Sequence, residues 1–165
     1  MKLNLHINKL ASPLHVLLSD NNLGSTEERT KKYKTLLHNI AVSLGLDENE
    51  SSELVEWVCL NGSRNYDYQS KNFTLKIWLS KILVRNCVFK INSRMFSQNE
   101  SCSFQTENNF LISLHVQKIP FSLMVVYILL HNFGFTEKEA AQILNITPMH
   151  VKERFAKAMF IIKCH

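Results

Sequence analysis

Only four glycines and three prolines interrupt 165 residues. That is too little punctuation for a turn-rich β protein, so helices are expected. Cys59, Cys87, Cys102 and Cys164 are scattered, with no C-x-x-C pair and no histidine at metal-ligand spacing. Neither a zinc site nor a disulfide framework follows from that pattern, and no metal or cofactor is expected. Cys59 and Cys87 sit in apolar surroundings and read as small core residues. Long apolar runs are also missing: the longest, "LMVVYILL" at 123–130, is far too short to span a bilayer. The opening "MKLNLHINKLASPLHVLL" is broken by polar residues too often for a signal peptide. No membrane insertion is expected, and a cytoplasmic, reducing location is. There is no Gly-rich phosphate loop, no H-E-x-x-H and no G-x-S-x-G, and the seven histidines are dispersed. An enzyme is not expected.

Acidic residues are lacking in one place in particular. Of the formal net charge of +5, residues 61–94 hold +6, with Asp67 as their single acid, whereas residues 1–60 carry −2. A basic segment behind an acidic one suggests a polyanion for the first and a separate protein partner for the second. Solvated helix faces would give the same counts.

What is present is helical periodicity. After "STEE", where Ser25 and Glu28 suit a capping box, Tyr33, Leu36, Leu37, Ile40, Ala41 and Leu44 form one stripe that ends at Gly45. A second helix is expected from Asp47, burying Leu54, Trp57 and Val58 and keeping Glu50, Glu53 and Glu56 on or near its exposed side. Residues 61–73, "NGSRNYDYQSKNF", read as a polar loop bearing Tyr66 and Tyr68. A long helix over 74–94 follows, with Leu75, Trp78, Leu79, Ile82 and Leu83 as its core face. "SQNESCSFQTENN" is rich in Ser, Asn and Gln and reads as a linker. Beyond it come a buried helix, "IPFSLMVVYILLHNFG", and "FTEKEAAQILNITPMHVKERFAKA". In the latter, Thr136 and Glu139 suit a second capping box. Asn145 is placed for a left-handed turn, and Thr147 and Pro148 for N-cap and first helical position. That is a helix-turn-helix.

The expected fold is all-α: a helical bundle over 23–95, a polar linker over 96–118 and a helix-turn-helix domain over 119–165, with an N-terminal extension, 1–22, of no assigned role. On the last helix Val151 and Phe155 face inward. His150, Glu153, Arg154 and Lys157 share the outward side, and Lys152 lies at its margin. Arg grips guanine O6 and N7, and Glu accepts from cytosine N4, so a mixed-charge reading helix is chemically sensible. Marginal cations suit phosphates. An ordinary amphipathic surface helix would look the same.

The order of acidic helix, aromatic-bearing loop, basic helix with Trp-Leu, linker and helix-turn-helix resembles bacterial RNA polymerase sigma factors of the extracytoplasmic-function type, which keep only regions 2 and 4. "LKIWLSKILVRNCVFKINSR" (75–94) resembles region 2, and the stretch from "IPF" to "FAKA" resembles region 4. The resemblance spans roughly residues 25–163. It implies an alternative sigma factor that binds core RNA polymerase and initiates transcription. A −35 duplex would be read through Thr147, His150, Lys152, Glu153, Arg154 and Lys157. A melted −10 strand would be held by Asn65, Tyr66, Tyr68 and Gln69, with Lys76, Lys81, Arg85 and Asn86 along the adjoining duplex and backbone. Polymerase would dock on Glu50, Glu53 and Glu56, and an anti-sigma factor is a further candidate partner. The family's Asp-Leu-Val-Gln-Glu stands here as Glu53-Leu54-Val55-Glu56-Trp57. The usual basic tail is "MFIIKCH", with Lys163 alone. Two alternatives stay open: a stand-alone helix-turn-helix regulator, and a sigma-like protein-interaction module that has lost DNA reading.

Overall fold

A computed structural model describes residues 26–97 and 119–163; the N-terminal extension, the Ser25 half of the first capping box and most of the linker lie outside them. Among the described residues every regular element is helical. The order is α1 (Thr26–Lys31), α2 (Lys34–Ser43), α3 (Glu48–Arg64), α4 (Tyr66–Gln69), α5 (Leu75–Ser97), α6 (Phe121–Tyr127) running on into a π turn (Ile128–Asn132), α7 (Glu137–Leu144) and α8 (Pro148–Lys163).

The single helix expected from the Ser25 cap to Leu44 is split into α1 and α2: the chain turns at Tyr33, whose N–H donates to the Thr30 carbonyl at 2.9 Å. The loop at 61–73 is largely helical, because α3 runs on to Arg64 and α4 takes up Tyr66–Gln69.

Local punctuation sets the remaining boundaries. Gly45 ends α2 at φ 104°, where a side chain would be strained. Asp47 caps α3 reciprocally: Glu50 N–H donates to its carboxylate at 2.8 Å, while the Glu50 carboxylate accepts from Asp47 N–H at 3.4 Å. That hydrogen bond from the Glu50 backbone, first among several causes, holds the Asp47 carboxyl below its ordinary value.

α3 and α5 cross closely at Gly62. A Cβ there would lie 2.6 Å from Leu79 Cδ2 and 3.2 Å from Ile82 Cδ1. The Gly62 carbonyl accepts from Trp78 Nε1 at 2.8 Å, which ties the two helices together. α3 therefore buries Ser51, Leu54, Val55, Val58, Cys59 and Gly62. Trp57, expected inside, is 49% exposed instead.

α8 packs on both α6 and α7, α7 touches the π turn, and α7 also lies along α5. Buried side chains from both sides of the linker, such as Leu79 and Leu83 with Val126 and Leu129, form one contiguous apolar cluster. No helix among the described residues is long and apolar enough to cross a membrane.

Candidate nucleic-acid interface

The helix-turn-helix is built by short-range bonds. Thr136 Oγ1 accepts from Glu139 N–H at 3.2 Å, and Glu139 Oε2 accepts from Thr136 N–H at 2.8 Å. Asn145 closes α7 in the left-handed region, φ 56° and ψ 44°. Ile146 N–H then reaches back to the Ala141 carbonyl at 3.1 Å. Ala140 and Ala141 are buried, so small side chains stand where α7 packs on its neighbours. Thr147 Oγ1 accepts from His150 N–H at 3.2 Å and caps α8, with Pro148 as first helical residue.

Val151 and Ala158 are fully buried and Phe155 half-buried, so one side of α8 is anchored. Thr147, His150, Lys152, Glu153 and Lys157 are exposed, and Arg154 is half-buried. At 100° per residue, His150, Glu153 and Lys157 lie within one outward arc, and Lys152 falls well to the side. The same arc holds two residues that the sequence reading did not name, Met149 and Phe160, each 70% exposed. Phe160, Ala156, Lys157 and Ile161 line a shallow, almost wholly apolar depression with Leu123 of α6.

The basic helix α5 divides its charged residues between two sides. Lys81, Arg85 and Phe89 follow one another at i, i+4 and i+8 on the outward face. Phe89 is 70% exposed and Arg85 exposed. The Lys81 ammonium lies 4.6 Å from the Phe73 ring centroid, and Phe73 stacks with Trp78 at 6.1 Å. Lys76 points the other way, half-buried, with its ammonium 4.3 Å from the centroid of the buried Phe135 ring at the foot of α7. The structure thus brings Lys81 and Arg85 together and separates Lys76 from them. Asn86 is half-buried and donates to its own helix, at the Ile82 carbonyl, at 2.8 Å.

In the segment before α5, Tyr66 is 3% exposed. Its hydroxyl donates to the Phe73 carbonyl at 3.2 Å, and the Arg29 guanidinium lies 5.4 Å over its ring. The aromatic pins α4 to the core. Asn65 is exposed and donates to the Asn61 carbonyl at 3.0 Å; Gln69 is half-buried. The side chain of Tyr68 lies outside the described residues.

On α3 the outward arc holds Glu53, Glu56, Trp57 and Leu60, the last two 49% and 52% exposed. Glu50 is set apart from them by its cap to Asp47 and by an ion pair with Arg94 of α5.

No family model and no curated protein matches this sequence. Solved structures do. The sigma factor RpoE in complex with the anti-sigma factor NepR, from Bartonella quintana, superposes with a TM-score of 0.65 at 17% identity, over 83% of this chain and 95% of that one. CnrH in complex with the cytosolic domain of CnrY superposes with a TM-score of 0.61 at 15% identity, over 90% of this chain and 94% of that one. The chain has the fold of an extracytoplasmic-function sigma factor. The cations of α5 are legible in the sequence, whereas the exposure of Phe89, Met149 and Phe160 emerges only once the helix faces are assigned.

Proposed function

We propose that this chain is an alternative sigma factor: it binds core RNA polymerase, reads a −35 duplex through α8 and holds a −10 strand along α5. The observation that carries the reading is a sigma fold that presents, in one chain, a capped helix-turn-helix and an acid-free cationic face on α5. Arg154, Lys157, Glu153 and His150 would contact base edges, with Thr147 and Lys152 toward the backbone. Lys81 and Arg85 would take phosphates of the −10 region. Asn65, Gln69, Asn86 and Tyr68 remain candidates beside them, whereas Tyr66 supports the site from within.

The docking surface for polymerase is Glu53 and Glu56 together with the apolar pair Trp57 and Leu60, an exposed helix face of the kind that marks a protein interface. Glu50 would act on it only by fixing the start of α3. An anti-sigma factor is a further partner, since RpoE was solved with one. The role is a binding one, not an enzyme's, and it belongs in the cytoplasm with the chromosome. The division into two domains, 23–95 and 119–165, belongs to the same proposal.

A second reading is favoured by one observation. Met149 and Phe160 place apolar surface on the side of α8 that would face DNA, as a protein-interaction module would. Replacing Arg154 and Lys157 by Ala separates the two. A promoter reader loses specific transcripts in reconstituted transcription with core polymerase, while an interaction module loses none.

A further inference from the structure

Among the described residues, large apolar side chains stand exposed in three places: Trp57 and Leu60 on α3, Phe89 on α5, and Met149 and Phe160 on α8. Charge tells the three apart. Phe89 follows Lys81 and Arg85, while Met149 and Phe160 share their helix with Lys152, Arg154, Lys157 and Lys163 against Glu153. The α3 patch alone is acidic. From Glu48 to Leu60 the helix carries four glutamates and no Lys or Arg. Glu48 pairs with His38 and Glu50 with Arg94, which leaves Glu53 and Glu56 exposed beside Trp57 and Leu60. An occupant of this patch must be apolar and cationic at once.

This chain holds such a segment. Eight of residues 3–18 are Leu, Ile or Val, and residues 1–18 contain Lys2, His6, Lys9 and His15 with no acid. The segment joins the described fold at Thr26, the first residue of α1, and α1 packs on α3. Residues 19–25, "SDNNLGS", can span about 24 Å. That is close to the length of the 17-residue α3, ~25 Å, so residues 1–18 can reach any of its turns. The other long stretch outside the described residues, 98–118, has the wrong sign, with Glu100 and Glu107 against Lys118. The cations beside Phe89 and Phe160 in turn repel a cationic segment, which leaves α3 as its match.

We propose that residues 1–18 dock on the α3 face of their own chain, with apolar side chains over Trp57 and Leu60 and with Lys2 and Lys9 toward Glu53 and Glu56. Docked there, they cover the face proposed above for polymerase and hold the free chain back from it. The docking stands on α3 and the segment alone; only the identity of the excluded partner rests on the sigma reading.

The test uses the full chain with p-benzoylphenylalanine in place of Leu10, irradiated in dilute solution, with crosslinks mapped by mass spectrometry. They are expected within one molecule, on Glu53–Leu60. Lys2→Glu/Lys9→Glu removes them, and adding Glu53→Lys/Glu56→Lys restores them, a rescue that apolar stickiness alone would not give. Core polymerase should bind Lys2→Glu/Lys9→Glu more tightly than wild type. A segment docked nine-tenths of the time gives roughly a tenfold gain, because only the open tenth is competent.

Crosslinks on α5 or α8, crosslinks between two molecules, or none in wild type overturns the proposal. So does cosedimentation of wild type with phosphatidylglycerol vesicles while α3 stays uncrosslinked, which would give the segment to a membrane surface. Equal polymerase affinity of wild type and Lys2→Glu/Lys9→Glu overturns the masking. Glu53 and Glu56 are exposed, and circular dichroism checks that each variant keeps its helices. Should wild type not bind core polymerase at all, the sigma reading fails, and the crosslinks still decide the docking.

Discussion

Gly62 sets how closely α3 and α5 approach. With Leu79 Cδ2 2.6 Å from where a Cβ would sit, and Leu79 itself fully buried, a larger side chain has nowhere to go. Gly62→Val is expected to cost roughly 1–3 kcal/mol through overpacking, read as a lower urea midpoint at unchanged slope. Cys87 gives a second residue-scale prediction. Burial pushes its thiol up to about 12, against an ordinary value of 9.0. The native state therefore keeps the proton when the unfolded chain has lost it. Stability is unaffected below pH 9 and declines as pH rises from there toward 12. In the folded protein at pH 8, Cys87 should resist a thiol reagent that labels it at once in urea. Rapid labelling of folded protein would mean that the core around α5 opens locally.

At the scale of elements, α7 and its turn are held by a cap and one left-handed residue. Thr136→Ala should cost about 1 kcal/mol by leaving Glu139 N–H without its acceptor. Asn145→Val should cost roughly 1–2 kcal/mol, because a β-branched side chain is strained at φ 56°. Thermal unfolding of each variant checks both. These features were legible in the sequence because cap and turn chemistry acts within four residues.

The faces of α3 were less legible. Leu54, Trp57 and Val58 make a plausible helical stripe, yet the buried one runs through Ser51 and Gly62, small residues that permit the close crossing and carry no apolar signal of their own. The polar stretch at 61–73 misled for a related reason. Asn61 and Ser63 donate back to the Trp57 and Cys59 carbonyls, so loop-like residues are accommodated inside a helix. On α5 the cations could be counted from the sequence, but not divided between the Phe89 side and the Phe135 side. Which way Lys76 turns depends on α7, more than fifty residues along the chain.

For the whole molecule, the contact between α5 and α7 has a consequence for the proposed activity. The −35 and −10 elements lie about 25 base pairs apart, ~85 Å along straight duplex at ~3.4 Å per pair. A compact chain of this length is about 40 Å across. One molecule reading both elements must therefore separate α7 and α8 from α5, withdrawing Lys76 from the Phe135 ring. Energy transfer between dyes at Ser52 on α3 and Gln142 on α7 should fall when the chain joins polymerase on a promoter. Unchanged transfer in an active complex would contradict that opening.

The central claim is tested most directly by reconstituted transcription: the purified chain, core RNA polymerase and a genomic promoter library, with transcript starts mapped. The account predicts discrete starts that depend on the chain and are lost in Arg154→Ala/Lys157→Ala. Starts no different from core polymerase alone, with the chain failing to bind polymerase at all, would contradict it.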